Sequence, residues 1–295
     1  FWGYLAQVEQ ARDKGDLANA TSFAQKALAM DHDRPAALAT LGGIAADEKD
    51  FKRAEDLYHQ ALDLEASNSK AVRGLISLLS RTGRRDEAFR LANALLEKGG
   101  ENVEGATRLK ASLLRDEAES LITAQRYSRA IASLESAVSL APQDAWLRYS
   151  LARLYAQLDL PALGDEMLRE GVKQSPDNDE MRHAYALYLG SNDEFEGALH
   201  EIDLIPANAR KASIDELESR LWVQLRRQQA RELFANGNRD EARRMLLLAA
   251  ASATKAEDQI PMLANAWVDI GYPEYGLTFL RQHIARQPEN TQSLK

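Results

Sequence analysis

The chain has 295 residues, 45% of them apolar and 28% charged, with few Gly (16) and Pro (8) and no Cys, a balance that suits helices and excludes disulfides, thiol nucleophiles and cysteine-held zinc. The net charge of −8, from 45 acidic and 37 basic residues, lacks the basic excess of a duplex nucleic-acid binder, so nucleic acid is not an expected partner. No stretch approaches the roughly 20 apolar residues of a membrane span, so this segment is not expected to contact a membrane, and a start at Phe1-Trp2-Gly3 with neither Met nor a signal-peptide pattern reads as a piece excised from something longer.

Ala20, Ala54 and Ala88 stand 34 residues apart. Each follows an exposed turn, Lys14-Gly15-Asp16, Glu48-Lys49-Asp50 and Thr82-Gly83-Arg84, and each opens an amphipathic run. Repeats 1–34, 35–68 and 69–102 result. The register slips by eight residues and resumes at Ala130, Gly164 and Ala198, giving 111–144, 145–178 and a shortened 179–206. It slips again and resumes at Ala242 and Gly276, giving 223–256 and 257–290. Position 20 is Ala or Gly in all eight repeats, and position 8 is mostly small (Gly42, Ala118, Ala152, Ala186, Ala230, Ala264). Two helices approach closely only where side chains are short, so each repeat is expected to be a helix hairpin crossing at these positions. Rings at position 17 (Phe51, Tyr127, Phe195) cap hairpin turns, and Pro142, Pro176 and Pro288 at position 32 end second helices.

A 34-residue period with a small residue at position 20 resembles the tetratricopeptide repeat. The resemblance implies an all-α, right-handed superhelical solenoid. The chain departs from that family at position 4, where its Trp is missing and Arg148, Arg182 and Arg226 stand in three repeats.

Two register breaks interrupt the stacking. At the second, Ser213 to Glu216 reads as a capping box with Ser213 as N-cap and Glu216 at N3. Ile214, Leu217, Leu221 and Leu225 follow on one helical face, and the pattern runs to about Asn236, ahead of Gly237. That spacing predicts an over-long helix of roughly 35 Å. A similar extension is expected around 103–125. Three rigid segments, 1–102, 111–206 and 223–295, are therefore expected to meet at junctions 103–110 and 207–222, with Ser213, Glu216, Leu217 and Leu221 on the more mobile joint. A further helix is expected to start at the C-terminal end.

Catalytic and metal motifs are missing. His32, His59, His183, His200 and His283 have no metal-ligand spacing. No G-x-S-x-G occurs, and the Gly99-Gly100 pair has no P-loop after it. Acid pairs such as Glu117 with Glu119 and Glu194 with Glu196 lie among basic residues and read as solvated faces. No catalytic residue, metal ligand or cofactor is expected. Trp146 and Tyr149, at positions 2 and 5, and Arg153, at position 9, face the concave groove of a tetratricopeptide array. They suit stacking on a sugar ring, gripping a peptide, or packing against the previous repeat. The carboxylate clamp of chaperone-binding members is absent: Leu5 and Glu9, Ala39 and Gly43, and Arg73 and Ser77 occupy its positions.

A closer resemblance lies in Ala184 to Leu189 (AYALYL), Ala198 to Pro206 (ALHEIDLIP) and Ser213 to Leu221 (SIDELESRL), supported by Val72 to Leu75 and Trp146 to Leu151 (WLRYSL). A Tyr-rich first helix, a truncated second helix ending Ile-Pro, and an over-long helix resemble the C-protein family of bacterial cellulose synthase systems, export proteins with a periplasmic repeat region before an outer-membrane barrel. The resemblance implies a periplasmic, non-catalytic scaffold. Its expected partners are protein subunits of a polysaccharide synthesis and export complex, a β-1,4-glucan and further copies of itself. A generic protein-binding adaptor is the alternative, and a helical carbohydrate-active enzyme a third.

Overall fold

The structure, a computed structural model, describes residues 1–98, 103–252 and 259–286. Gly99-Gly100, Pro288 and the expected further C-terminal helix lie outside them. Among the described residues there are sixteen helices and no strand. The chain divides into two compact blocks, Phe1–Pro142 and Gln143–Lys295. The first holds α1 (Trp2–Asp13), α2 (Leu17–Ala29), α3 (Arg34–Asp47), α4 (Phe51–Leu64), α5 (Ser69–Arg81), α6 (Arg85–Lys98), α7 (Val103–Thr123) and α8 (Tyr127–Leu140). The second holds α9 (Ala145–Gln157), α10 (Pro161–Gln174), α11 (Asp179–Ser191), α12 (Phe195–Asp203), α13 (Ala212–Ala235), α14 (Arg239–Ser252), α15 (Ile260–Asp269) and α16 (Pro273–Arg286).

Odd and even helices pair as eight hairpins, and hairpins stack in chain order within each block. In the first, α1, α3, α5 and α7 pack in succession, with α2, α4 and α6 each against the next odd helix. In the second, α9, α11, α13 and α15 do the same, with α10, α12 and α14 behind. This is a tetratricopeptide solenoid, in which each hairpin buries its apolar faces only against its neighbours.

The hairpin turn is the most regular feature of the backbone. Gly15, Lys49, Gly83, Gln125, Asp159, Asp193, Gly237 and Gly271, all at position 15, have positive φ. The next N–H reaches back to the first helix, as from Asp16 to Ala11 O (2.9 Å), Arg126 to Leu121 O (2.7 Å) and Asn238 to Leu233 O (2.9 Å). These bonds are the six-to-one closure of a Schellman turn. Four of the eight are glycine. Lys49, Gln125, Asp159 and Asp193 hold the same conformation against Cβ strain of roughly 1–2 kcal/mol each.

Small residues sit where the helices cross. Ala20, Ala54, Ala88, Ala130, Ala198 and Ala242 have no exposed surface, and Gly164 and Gly276 are buried in α10 and α16. A Cβ on Gly276 would stand 2.6 Å from the Ala264 carbonyl oxygen, and one on Gly164 would stand 2.9 Å from that of Ala152. The large neighbours use the same space: the Tyr58 ring fills the room left by Gly42 and Gly74. Trp267 and Tyr58 are 2% and 4% exposed, as core residues should be.

The two over-long helices differ from the regular ones by nearly a full heptad or more. α7 has 21 residues and α13 has 24, against 12 to 14 for most others. α12 is cut to nine. Ile214, Leu217, Leu221 and Leu225 join the core of α9 to α12, while Val223 and Ala230 join that of α14 to α16. One helix thus serves two successive cores from two faces.

The capping box at Ser213 does not form. α13 begins at Ala212 with Lys211 as N-cap and no side-chain cap. Ile214 N–H donates to the Lys211 carbonyl at 2.8 Å, so Ser213 and Glu216 both lie inside the helix and exposed. The residues ahead of the helix set its start. Lys211 pairs with Glu180 at 3.2 Å. Arg210 donates to the carbonyls of Ile202 (3.0 Å) and Ile205 (3.1 Å) and to Glu218 (3.3 Å).

Candidate functional site

The groove candidates lie on α9. Asp144 caps this helix, accepting from the N–H groups of Trp146 (3.0 Å) and Leu147 (3.1 Å). Leu147, Leu151 and Leu154 point into the core. The helical period then puts Trp146, Tyr149 and Arg153 on another face. The structure brings these three together. The Trp146 and Tyr149 rings meet edge-on with centroids 5.9 Å apart, and the Arg153 guanidinium lies 5.7 Å from the Tyr149 ring. Both rings are half-buried and pack against the core of α9 to α13, while Arg153 is exposed. Packing and an exposed edge therefore coexist at this patch.

One member was not singled out from the sequence. His183 on α11 meets the Trp146 ring edge-on at 5.5 Å. It occupies position 5 of its repeat, as Tyr149 does of its own, so the groove-facing register could have found it. Burial, reinforced by the charge of Lys211, pushes its pKa below the ordinary histidine value, and Glu180 opposes this only partly. The result is a ladder of Arg153, Tyr149, Trp146 and His183 running from solvent to the next repeat. Edge-on rings present flat faces and polar edges side by side. Such a surface can hold the CH face of a sugar or a peptide side chain. It carries no nucleophile paired with a base.

The position-4 arginines also have a role that the sequence did not disclose. Each reaches across its hairpin to the residue 19 places later. Arg148, buried, donates to the Met167 carbonyl at 3.2 Å and to Gln174 Oε1 at 3.1 Å. Arg182 pairs with Glu201 at 2.9 Å, with both side chains about 15% exposed. Arg226 lies 3.5 Å from the Met245 sulfur and 5.2 Å from the Trp222 ring centre. In the first repeat the same pair of positions is filled by Tyr4 stacked on Phe23. Arginine thus fills, with its stem and its charge, the slot that an aromatic fills elsewhere.

Among the described residues no group of three or more His, Asp or Glu could hold a metal ion, and no helix is long and apolar enough to cross a membrane. Glu117 accepts a hydrogen bond from Ser133 at 2.9 Å.

Comparison with known proteins agrees with the architecture. The tetratricopeptide-repeat family model matches residues 45–113 and 121–188. The chain is 32% identical over 287 residues, 96% of its length, to "Cellulose synthase operon protein C" of Xanthomonas axonopodis pv. citri (strain 306), covering 19% of that protein. It is 26% identical over 294 residues, 99% of its length, to the protein of the same name from Pseudomonas fluorescens (strain SBW25), covering 23% of it. The chain therefore spans about a fifth of the length of these curated relatives. Among solved structures, a tetratricopeptide repeat protein from Parabacteroides merdae ATCC 43184 is 16% identical with a TM-score of 0.43, over 91% of this chain and 97% of that one.

Proposed function

The chain is a tetratricopeptide-repeat protein similar over nearly its whole length to cellulose synthase operon protein C, and from that premise we propose that it is a non-catalytic scaffold of a bacterial cellulose synthesis and export complex. It works in the periplasm, docking proteins between the inner-membrane synthase and the outer-membrane pore. The observation that carries this reading is the similarity across 96% of the chain. The fold supports it, because stacked hairpins offer extended surface and the groove patch offers stacking faces without reactive groups. In this reading the ladder from Arg153 to His183 contacts protein partners or the β-1,4-glucan itself. The over-long helices α7 and α13 act as joints between segments 1–102, 111–206 and 223–295.

A photo-crosslinker in place of Arg153, in the chain secreted to the periplasm of a cellulose-producing strain, tests docking. Crosslinks to proteins of the synthesis machinery are expected, and they should fall when the operon is silenced. A scaffold whose crosslinks ignore the operon, or whose deletion leaves cellulose export unchanged, would not be the one proposed. Glucan contact is tested separately by titrating cellohexaose while following the Trp146 indole signal. Weak binding that Trp146→Ala reduces without unfolding the chain is expected, and an unmoved signal sinks the glucan contact alone.

A further inference from the structure

In the first block, the groove face of α3 is built from short side chains. Ala36, Ala39 and Gly43 stand at positions 2, 5 and 9, where α9 carries Trp146, Tyr149 and Arg153. With no longer side chain between them, Glu9 of α1 and Lys70 of α5 meet across α3 at 3.1 Å. Small residues alone make no site, but here a polar group reaches them from behind. Tyr58 belongs to α4, and its ring fills the gap between Gly42 on α3 and Gly74 on α5. That passage brings its hydroxyl to Gly43. A Cβ on Gly43 would stand 3.8 Å from the Tyr58 hydroxyl and 3.8 Å from both terminal nitrogens of Arg12, with no atom beyond its own stretch of helix any closer. Tyr58 is 4% exposed, yet its hydroxyl has no hydrogen-bond partner among the described residues. Arg12 spends Nε on Asp47 at 2.8 Å and Nη1 on Glu9 at 3.1 Å, and its Nη2 has no acceptor among the described residues. Two donors without acceptors therefore flank the same open space over Gly43.

The surroundings select the acceptor. Burial holds the Tyr58 pKa above the ordinary tyrosine value, so the hydroxyl is a neutral donor at pH 7. The charged groups that act on it are Arg12, Asp47 and Arg81, and Glu9 and Lys70 complete the rim. Three cations thus meet two carboxylates. Both carboxylates are already held, Asp47 by Arg12, and Glu9 by Arg12 and Lys70. Arg81 makes only a long contact with the Ala46 carbonyl, at 3.5 Å. An ammonium ligand would meet this positive surplus and two carboxylates already engaged. A hydroxyl or amide would satisfy a donor but leave the surplus unbalanced. A carboxylate answers both, because hydrogen bonds to an ionised acceptor are the stronger ones. We propose that Tyr58 and Arg12 bind a carboxylate over Gly43, so that the groove of the first block takes an Asp or Glu side chain from a protein partner. This differs from the chaperone-binding clamp, whose positions here hold Leu5, Glu9, Ala39 and Gly43. The inference rests on the scaffold reading for the existence of a partner and uses none of the ladder's residues.

The test uses the 295-residue chain and two capped pentapeptides, acetyl-Gly-Ser-Glu-Ser-Gly-amide and its Gln counterpart. The Glu peptide should shift the Gly43 amide and the Tyr58 ring resonances, with a dissociation constant of about 1 mM. The Gln peptide should bind about tenfold more weakly. Tyr58→Phe keeps the ring that fills the core and removes only the hydroxyl, so it should weaken the Glu peptide several-fold with the fold intact. Gly43→Ala puts a methyl into the open space without a clash and should weaken binding likewise. The idea is overturned if the two peptides bind alike, if neither moves the Gly43 and Tyr58 signals, or if both variants bind the Glu peptide as the parent does. Shifts confined to the Trp146 indole also overturn it, while the scaffold reading stands or falls separately on the Arg153 crosslinks.

Discussion

Helices α7 and α13 solve the same problem with different resources. Each absorbs extra residues between repeats by lengthening a first helix, and each keeps an apolar stripe through the extension. For α7, Leu109 and Leu113 join the core of α3 to α6, and Ala118 further along the helix is fully buried. The helix before it, α6, is full length at 14 residues. For α13 the helix before is the nine-residue α12, closed by a single turn in which Ile205 N–H donates to the Ile202 carbonyl at 2.9 Å. Arg210 extends that closure, donating to the carbonyls of Ile202 and Ile205 and anchoring to Glu218 on α13. The lengthened α7 follows a full helix, whereas the shortened α12 exposes end carbonyls that a side chain supplements.

The sharpest way to break this comparison is Arg210→Ala. It removes the donor held by the Ile205 carbonyl, a second donor to Ile202 and the cation facing Glu218, so a loss of about 3 kcal/mol is expected. Hydrogen exchange should quicken across residues 199–218 and stay unchanged across α7. If protection at α12 is unaltered, the clasp is incidental and α12 is held by packing alone.

The next effect compares the crossings that follow each long helix. Ala130 in α8 and Ala242 in α14 are both fully buried. Leucine at either position overpacks a hairpin crossing, with an expected loss of about 2 kcal/mol in denaturant titration. Comparable losses would mean that both hairpins return to regular packing immediately after the extension. Unchanged stability in both would put the repeat register itself in question.

That register was legible in the sequence because the constraint acting on it is local and repeated. Positions 8 and 20 must be small for backbones to approach, and position 15 must turn left-handed. The over-long α13 was legible for the same reason, through Ile214, Leu217, Leu221 and Leu225. Its start was not. Ser213 and Glu216 have the right spacing for a cap, but the competing partners of Lys211 and Arg210 lie 31 residues back on α11 and eight back on α12. Long-range clasps of this kind leave no periodic trace. The groove patch was half legible: Trp146, Tyr149 and Arg153 share one helix, whereas His183 comes from the next repeat. The Arg182–Glu201 pair was missed because the expected occupant of position 4 was an aromatic, and only the geometry shows that charge can fill the slot.

A smaller effect separates the two turns that follow the long helices. Gln125, after α7, has φ 58°, and Gly237, after α13, has φ 84°. Gln125→Gly should stabilise the first block by about 0.5–1 kcal/mol by removing Cβ strain. Gly237→Ala should destabilise the second block by about 1 kcal/mol for the converse reason. Thermal unfolding of the two variants reads both signs, and same-direction shifts would contradict the shared turn geometry.

The smallest expected effect is one of slope. His183 faces Lys211, at the N-cap of α13, together with Glu180 and the Trp146 ring. Residues 85–125, which enclose α7, contain no histidine. The folded state holds the His183 pKa below its ordinary value of about 6.5, so the unfolded chain binds the extra proton more readily. Stability from this group is therefore complete above that ordinary value and declines as pH falls through the window down to the folded pKa. Protonation would also place a cation against Lys211, so the loss should be felt first where α13 begins. Hydrogen exchange at pH 5 against pH 7, corrected for intrinsic rates, should show weakened protection around 211–217 in the parent and none in His183→Gln. Weakening that persists in the variant would rule out His183 as its source, and equal weakening across α7 would remove the distinction between the two helices.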